Sequence, residues 1–295
     1  MSDVDVVVVS YNNRDSLREN VEPLLEVPWV HLFVVDSASP DETLDVVRDL
    51  PLTAIQLPDN RGFAHGVNTG WRAGSAPYVL LLNPDARMDS ASLATLVHVL
   101  EDDLALGAVA PKIVATDGAL EYSQRRYPRL RSTFAQALFL HRLFPEAPWT
   151  DELVRDHAAY ENRGTPDWVS GACILVRRRA LDELGGLDEG FFMYAEDIDF
   201  CRRLRDAGYG LLFEPEAVLE HEGGASTPRT SLLPVLASSR LRYAAKHRSV
   251  GAAFLERVGI ALGSFTHAVV SRGGLASRAG HLRALRAVLS PRSSG

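Results

Sequence analysis

Val4-Asp5-Val6-Val7-Val8-Val9-Ser10-Tyr11-Asn12-Asn13 begins as a run of β-branched residues and stops at four polar ones. A continuous apolar run of this length is the pattern of a strand buried on both faces, so Val4 to Val9 is assigned as one. A helix is expected next, from about Arg14 to Glu26, and the alternation then repeats. His31 to Val35, Thr53 to Leu57 and Tyr78 to Leu82 are further strands, with helical segments at Asp41 to Asp49 and Ala64 to Ala73 between them. Apolar strands alternating with helices predict an α/β fold with a mainly parallel, Rossmann-like sheet flanked by helices.

Beyond a helix at Ala91 to Leu100 the pattern becomes irregular. The segment 116–168, rich in Arg, Tyr, Pro and Trp, resembles a binding insertion more than core. Order returns with a strand at Ala172 to Val176 and a helix at Glu196 to Asp206. Two short strands around Leu211 and Val218 close a domain spanning 1–227. Residues 228–295 read as a C-terminal extension of two or three amphipathic helices. Their apolar positions include Leu236, Tyr243, Phe254, Val258, Phe265, Val269, Leu282, Leu285 and Leu289.

Of the 295 residues, 46% are hydrophobic and 23% charged, as in ordinary globular proteins. The two cysteines, Cys173 and Cys201, make no disulfide framework, and no Cys/His cluster has structural-zinc spacing. A reducing cytoplasm is the expected setting. Asp3 and Asp5 beside the first valines argue against a signal peptide. Val258 to Val270 is the longest apolar stretch near the C-terminus, and is too short to span a bilayer. The net charge of −7 is unevenly divided. From Pro228 onward eleven basic residues oppose only Glu256, so the tail carries +10 and the remainder −17. The tail is thereby suited to a polyanionic surface.

In an open parallel sheet, ligands bind beyond the carboxyl ends of the strands. Ser10-Tyr11-Asn12-Asn13, Asp36-Ser37-Ala38-Ser39 and Asn83-Pro84-Asp85 fall at three such ends. No G-x-G-x-x-G follows the first strand and no P-loop motif occurs, which argues against nicotinamide dinucleotides and P-loop chemistry. Asp36 could accept hydrogen bonds from a nucleobase or ribose, or could close an Asx turn. Asp85 could hold a hard divalent cation beside substrate phosphates, or belong to a simple N-P-D turn. In Asn60-Arg61-Gly62-Phe63-Ala64-His65-Gly66-Val67-Asn68 the glycines permit close backbone approach, and Arg61 and Asn68 offer donors to sugar or phosphate oxygens; capping and packing are the rival roles. Glu196, Asp197 and Asp199 open a helix whose dipole favours acids, yet a carboxylate beside Phe191 and Phe192 could serve as a general base. His221-Glu222-Gly223-Gly224 follows the last strand, where the histidine is a metal ligand, a phosphate contact or structural.

Read together, these segments resemble the family 2 glycosyltransferases of GT-A fold. V-V-V-S-Y-N-N, V-V-D-S-A-S, N-R-G-F-A-H-G-V-N-T-G, L-L-L-N-P-D-A and G-G-L-D-E-G-F-F-M-Y-A-E-D-I-D-F-C-R-R-L match in order, followed by H-E-G-G-A-S. R-R-Y-P at Arg125 to Pro128 and S-x-x-R-Y-x-x-K-H at Ser239 to His247 resemble the rhamnosyltransferase-like branch. The resemblance implies an inverting, metal-dependent transfer, with L-rhamnose from dTDP-L-rhamnose as favoured donor and a glycan or polyprenyl-diphosphate-linked acceptor, as in cell-wall or polysaccharide biosynthesis. It implies that Ser10, Tyr11, Asn12, Asp36, Asn60, Arg61, Gly62, Asn68, Asn83 and Asp85 bind the nucleotide sugar. Asp85, with His221, would hold Mg²⁺ or Mn²⁺; Asp197 would be the base with Glu196 shaping its surroundings. Asn83 stands where a D-x-D motif has its first acid. Arg125, Arg126 and Trp168 are expected on the acceptor side.

The tail is expected to attach the protein peripherally to the inner face of the plasma membrane, or to pack on the body or on a second copy as a homodimer. Other classes fit less well. A sugar nucleotidyltransferase needs a glycine-rich phosphate loop that Ser10 to Asn13 lacks. A non-catalytic nucleotide-sugar-binding protein has no need of both Asp85 and Asp197, and a UDP- or GDP-sugar is the alternative donor. No nucleic-acid reading motif is present.

Overall fold

The computed structural model describes residues 1–223, 229–271 and 274–290. Its strands are β1 (Val4–Ser10), β2 (Val30–Asp36), β3 (Thr53–Gln56), β4 (Tyr78–Leu82), β5 (Ala86–Met88), β6 (Leu106–Val114), β7 (Gln124–Arg125), β8 (Trp168–Val169), β9 (Cys173–Arg177) and β10 (Gly210–His221). Its α-helices are α1 (Arg14–Val21), α2 (Phe63–Ala73), α3 (Ser90–Asp102), α4 (Leu130–Ala137), α5 (Leu140–Leu143), α6 (Arg178–Leu184), α7 (Glu196–Asp206), α8 (Arg229–His247), α9 (Val250–Val270) and α10 (Gly274–Leu289). The chain divides into two compact units. One comprises Met1–Arg125, Val154–Phe192 and Glu196–Ser226; the other comprises Arg126–Leu153, Met193–Ala195 and Thr227–Gly295. The segment 116–168 is thus shared between them.

The first unit is built on an eight-stranded sheet of order β3-β2-β1-β4-β9-β6-β10-β5. Every residue of β1 is buried, as its unbroken apolar run requires when both faces are covered. Gly66 and Gly70 let α2 lie close against it: a Cβ on either would come within 2.6 Å and 2.4 Å of Val9 and Val7. Asp89 caps α3 by accepting from the Ser92 N–H. The expected mainly parallel sheet is present, with β9 and β5 running against the rest.

Several boundaries differ from the sequence expectation for identifiable reasons. The first helix ends at Val21 and continues as a 3₁₀ turn, Glu22–Glu26, because Pro23 supplies no N–H. Asp41 to Asp49 forms only the 3₁₀ turn Thr43–Val47, preceded by Glu42 at φ 55°. β6 lies in the stretch that looked irregular, where Gly107, Pro111 and Lys112 interrupt the apolar pattern. The two strands around Leu211 and Val218 are one, β10, whose register breaks between Glu214 and Val218 around Pro215. Cys173 and Cys201 are both free and buried; burial pushes the Cys201 thiol up to about 12.

The second unit packs α4, α8, α9 and α10 together. Its apolar core is small: Ala237, Leu241, Ala284 and Val288, with Leu233, Ile260 and Ala261 against it. Glu256, 1% exposed, lies inside and joins three elements. It accepts from Thr133 of α4 at 2.8 Å and pairs with Arg240 and Arg248 at 3.2 and 3.3 Å. Arg240 also meets the Glu152 carboxylate at 2.5 Å. Two of the tail's arginines are therefore neutralised internally. The side chain of Arg229 and the whole of Arg272 and Arg292 lie outside the described residues. Helix α9 extends N-terminally past Val258 to Val250. At 21 residues it is long and apolar enough to cross a membrane by length and composition, which corrects the shorter estimate from Val258 to Val270.

Candidate active site

Strands β1, β2, β3, β4, β6 and β10 point the same way, so their carboxyl ends form one edge. Ser10 and Asp36 stand side by side there, in register. Asp36 is buried, and its carboxylate accepts from the Ser39 N–H at 2.8 Å, the Ser39 hydroxyl at 2.5 Å and Gln56 Nε2 at 2.7 Å. The Ser39 oxygen in turn accepts from the Asn12 N–H at 2.9 Å, beside which Asn12 sits at φ 56°. Asp36 thereby fixes the shape of the loop that carries Tyr11, which is 37% exposed. The hydroxyls of Ser10 and Ser37 are enclosed beneath it without a hydrogen-bond partner. Such groups are costly unless a ligand or water satisfies them.

The Asn60 to Asn68 segment is tied to a second motif. Asn60 accepts from the Gly62 N–H at 3.0 Å. Gly62, at φ 95°, has the Phe192 carbonyl oxygen only 2.0 Å from where a Cβ would be, and the Phe63 N–H donates to that oxygen at 2.8 Å. Its close approach is thus to protein backbone. Asn68 is buried and fully engaged: it donates to the Leu187 carbonyl and Glu189, and accepts from Trp71 Nε1 and the Leu187 N–H. Its place is structural, with no hydrogen-bonding capacity left for a sugar. Glu189, which the sequence did not single out, also takes His65 at 2.8 Å and Arg72 at 3.5 Å. Burial pushes its carboxyl up, but the bonds from Asn68 and His65 outweigh this and hold it below its ordinary value. Arg61, 3.9 Å from Glu189, keeps an exposed guanidinium.

Asp85 and His221 come together as the sequence suggested. His221 Nε2 is 3.2 Å from Asp85 Oδ1 and 3.3 Å from Asn83 Nδ2, and Nδ1 is 3.2 Å from Glu121 Oε2. The pairing of His221 with Ala86 across β10 and β5 brings the two side chains together. Burial lowers the imidazole pKa, but Asp85 and Glu121 more than offset it and raise it overall. Among the described residues no group of three or more His, Cys, Asp or Glu is arranged to hold an ion alone. One carboxylate and one imidazole fit an Mg²⁺- or Mn²⁺-type ion whose remaining ligands come from a diphosphate and water. Glu121 carried no signal in the sequence because it lies in the irregular segment. Gly224 and Ser226 of the H-x-x-G-x-S match lie outside the described residues.

Asp197 is the second residue of α7 and reaches the same edge through a short chain of contacts. Its Oδ2 accepts from the Gly171 N–H at 3.2 Å, and the adjacent Ala172 carbonyl accepts from the Asn83 N–H at 2.9 Å. Desolvation raises the Asp197 pKa, opposed by the N–H groups of Ile198 and Gly171 and by the Arg125 charge. Glu196 is buried with Oε2 unpartnered; desolvation, then the charge of Asp197, push its pKa well up. Of the two carboxyls it is the one pushed up further, because it lacks the N–H partners that Asp197 has. Tyr194 and Ala195, just ahead of the helix, hold φ values of 68° and 66°, a strained approach for two non-glycine residues. Arg125 pairs with Trp168 across β7 and β8, its guanidinium 5.4 Å from the ring centroid. Arg126 belongs to the helical unit, where it donates to the Leu153 carbonyl at 2.7 Å.

An open α/β sheet with acids, a histidine and two unpartnered hydroxyls along its carboxyl edge is the architecture of a nucleotide-sugar transferase. The family model described as glycosyltransferase like family 2 matches residues 2–244. The chain is 31% identical over 265 residues to N-acetylglucosaminyl-diphospho-decaprenol L-rhamnosyltransferase of Mycobacterium tuberculosis, covering 82% of this chain and 84% of that one. It is 28% identical to the O-antigen chain rhamnosyltransferase RfbN of Salmonella typhimurium, covering 77% and 68%. Among solved structures, the mannosyltransferase PcManGT of Pyrobaculum calidifontis, in complex with GDP-Man and Mn²⁺, has the same fold. Its TM-score is 0.58 at 19% identity, covering 98% of this chain and 89% of that one. The chain belongs to the family 2 glycosyltransferases and has their GT-A fold.

Proposed function

We propose that this glycosyltransferase moves L-rhamnose from dTDP-L-rhamnose to a hydroxyl of a lipid-linked acceptor, with inversion at the anomeric carbon. The donor and acceptor classes are supported by the two rhamnosyltransferase relatives. The observation that carries the reaction is Asp197, held at the ligand edge by the Gly171 N–H and next in the chain to the buried Glu196. Asp197 takes the proton from the acceptor hydroxyl as its oxygen attacks from the face opposite the nucleotide. Its raised pKa makes it a better base than a fully solvated carboxylate. Tyr11, Asn12 and the loop fixed by Asp36 line the nucleotide side, with Arg61 free to turn toward it. Asp85 and His221 would hold Mg²⁺ or Mn²⁺, which when bound supplies Lewis-acid stabilisation to the departing diphosphate. Arg125 and Trp168 lie on the acceptor side.

The helical unit is read as the membrane-facing part, attached peripherally to an anionic cytoplasmic leaflet. Phe254, Val258, Phe265 and Val269 along α9 are exposed, while Glu256 of the same helix is buried among arginines. A helix that turns its charge inward and its apolar face outward, in a strongly basic segment, suits a lipid interface.

The test is incubation of the protein with dTDP-, UDP- and GDP-sugars and Mg²⁺ or Mn²⁺, reading free nucleoside diphosphate. Release from dTDP-L-rhamnose alone, abolished in Asp197→Asn, is expected. Turnover retained in that variant would remove Asp197 as the base, and preference for a UDP- or GDP-sugar would overturn the donor.

A further inference from the structure

The helical unit contains a cavity of about 280 Å³ that the transfer reaction does not use. It is lined by Phe139, Arg142, His267, Ser271, Ser277 and His281, and by Val270 at the end of the exposed face of α9. The His267 and His281 rings are stacked, 5.3 Å apart, and Phe139 lies 4.3 Å from His267. The Arg142 guanidinium rests 4.5 Å from the Phe139 ring centroid and forms no ion pair with a carboxylate among the described residues. Phe139 holds φ 59°, a left-handed conformation unusual for a bulky residue, and its ring meets both His267 and Arg142. The Ser271 and Ser277 hydroxyls, 2.7 Å apart, add donors to the wall.

We propose that this cavity binds a phosphate group, carried by a lipid headgroup or free in solution. An unpaired guanidinium, two imidazoles and two hydroxyls converging on one pocket are the donor set that phosphate oxygens accept from. His267 Nδ1 donates to the Gly263 carbonyl at 2.9 Å, so its free nitrogen must carry a proton to donate to an anion. Burial, then the neighbouring His267, lowers the His281 pKa, and an anion in the pocket would oppose that shift. The other titratable groups facing this cluster are His141 and, through it, Asp151. Affinity therefore rises as pH falls below about 6.5, the ordinary histidine value beneath which the lowered His281 takes its proton. Val270 lines both the cavity and the apolar face, which sets the pocket at the depth of a headgroup if that face meets lipid. The site does not depend on the transfer reaction, and its test reads binding alone.

The full-length protein is titrated with inorganic phosphate and, separately, with dihexanoyl phosphatidic acid, while imidazole ¹H–¹⁵N signals are followed by NMR. Saturable shifts of the His267 and His281 signals are expected, with a dissociation constant on the order of 1 mM for inorganic phosphate. Arg142→Gln and His281→Gln should each weaken it about tenfold, the loss of one charge-assisted contact. Tighter binding of the lipid than of phosphate assigns the headgroup as source, and equal binding assigns the free anion. No shift with either ligand, or shifts undiminished in both variants, would overturn the site.

Discussion

In the sheet unit Leu80, Leu96 and Phe213 are wholly enclosed; in the helical unit Phe254, Phe265 and Val269 are more than half exposed. The interiors are reversed to match. Large aliphatic and aromatic side chains fill the first, whereas Ala237, Ala284, the close-packed Gly259 and Gly280, and the arginine-paired Glu256 fill the second. A Cβ on Gly280 would stand 2.4 Å from the Thr230 carbonyl oxygen, so the helices there approach backbone to backbone. Small residues at helix contacts are what helices use when apolar burial is not what joins them. One unit is organised against water. The other is organised by close packing and ion pairs, and leaves its apolar surface for something else to cover.

The largest expected effect belongs to the sheet unit. Asp197→Asn should lower turnover by about 10²- to 10⁴-fold, the range for losing a general base, while donor affinity measured by calorimetry stays within a factor of about two. Glu256→Ala comes next and probes the opposite interior. It strands Arg248 and leaves Arg240 with Glu152 alone, and should cost about 3–5 kcal/mol in urea denaturation. Leu80→Ala should cost about 2–5 kcal/mol by leaving a cavity in the sheet unit. If Glu256→Ala proved neutral and only Leu80→Ala destabilised, the contrast between the two interiors would fail.

Glu196 allows a pH test. Its folded pKa is raised, so the folded state holds the proton more tightly than the unfolded chain does. The stability this supplies is fully present below about pH 4.5, the ordinary carboxyl value, and is lost as pH rises through the folded value. Melting temperature should therefore decline on the alkaline side for the native protein and stay flatter for Glu196→Gln. The smallest effect on stability is expected at Phe254→Ser, within about 0.5 kcal/mol because the ring is exposed. The same change should reduce flotation with anionic vesicles, and undiminished flotation would argue that α9 faces protein instead.

The sequence made the sheet legible because strands buried on both faces leave unbroken apolar runs, as in Val4 to Val9 and Tyr78 to Leu82. β6 escaped because Pro111 and Lys112 break its run, and Lys112 is accounted for only by Glu161, 49 residues away at 2.6 Å. Asp85 and His221 could be paired in advance by motif resemblance, but Glu121 could not, since nothing near it in the chain marks it. Asn68 misled in the other direction. A polar residue in a glycine-bearing segment has the look of a ligand contact, and only its four internal hydrogen bonds reveal where its capacity goes. The reversed helical unit was hidden because periodicity says that a helix has two faces without saying which one is turned inward.

The interlock between Gly62 and the Phe192 carbonyl, reinforced by Asn68 and His65 on Leu187 and Glu189, bears on how this enzyme can be re-engineered. Residues 60–68 and 186–192 are mould and cast, so grafting either stretch alone from a relative would set mismatched surfaces against each other. Transplanted as a couple they should be tolerated. Two distant stretches of gene would then have to be exchanged in the same step.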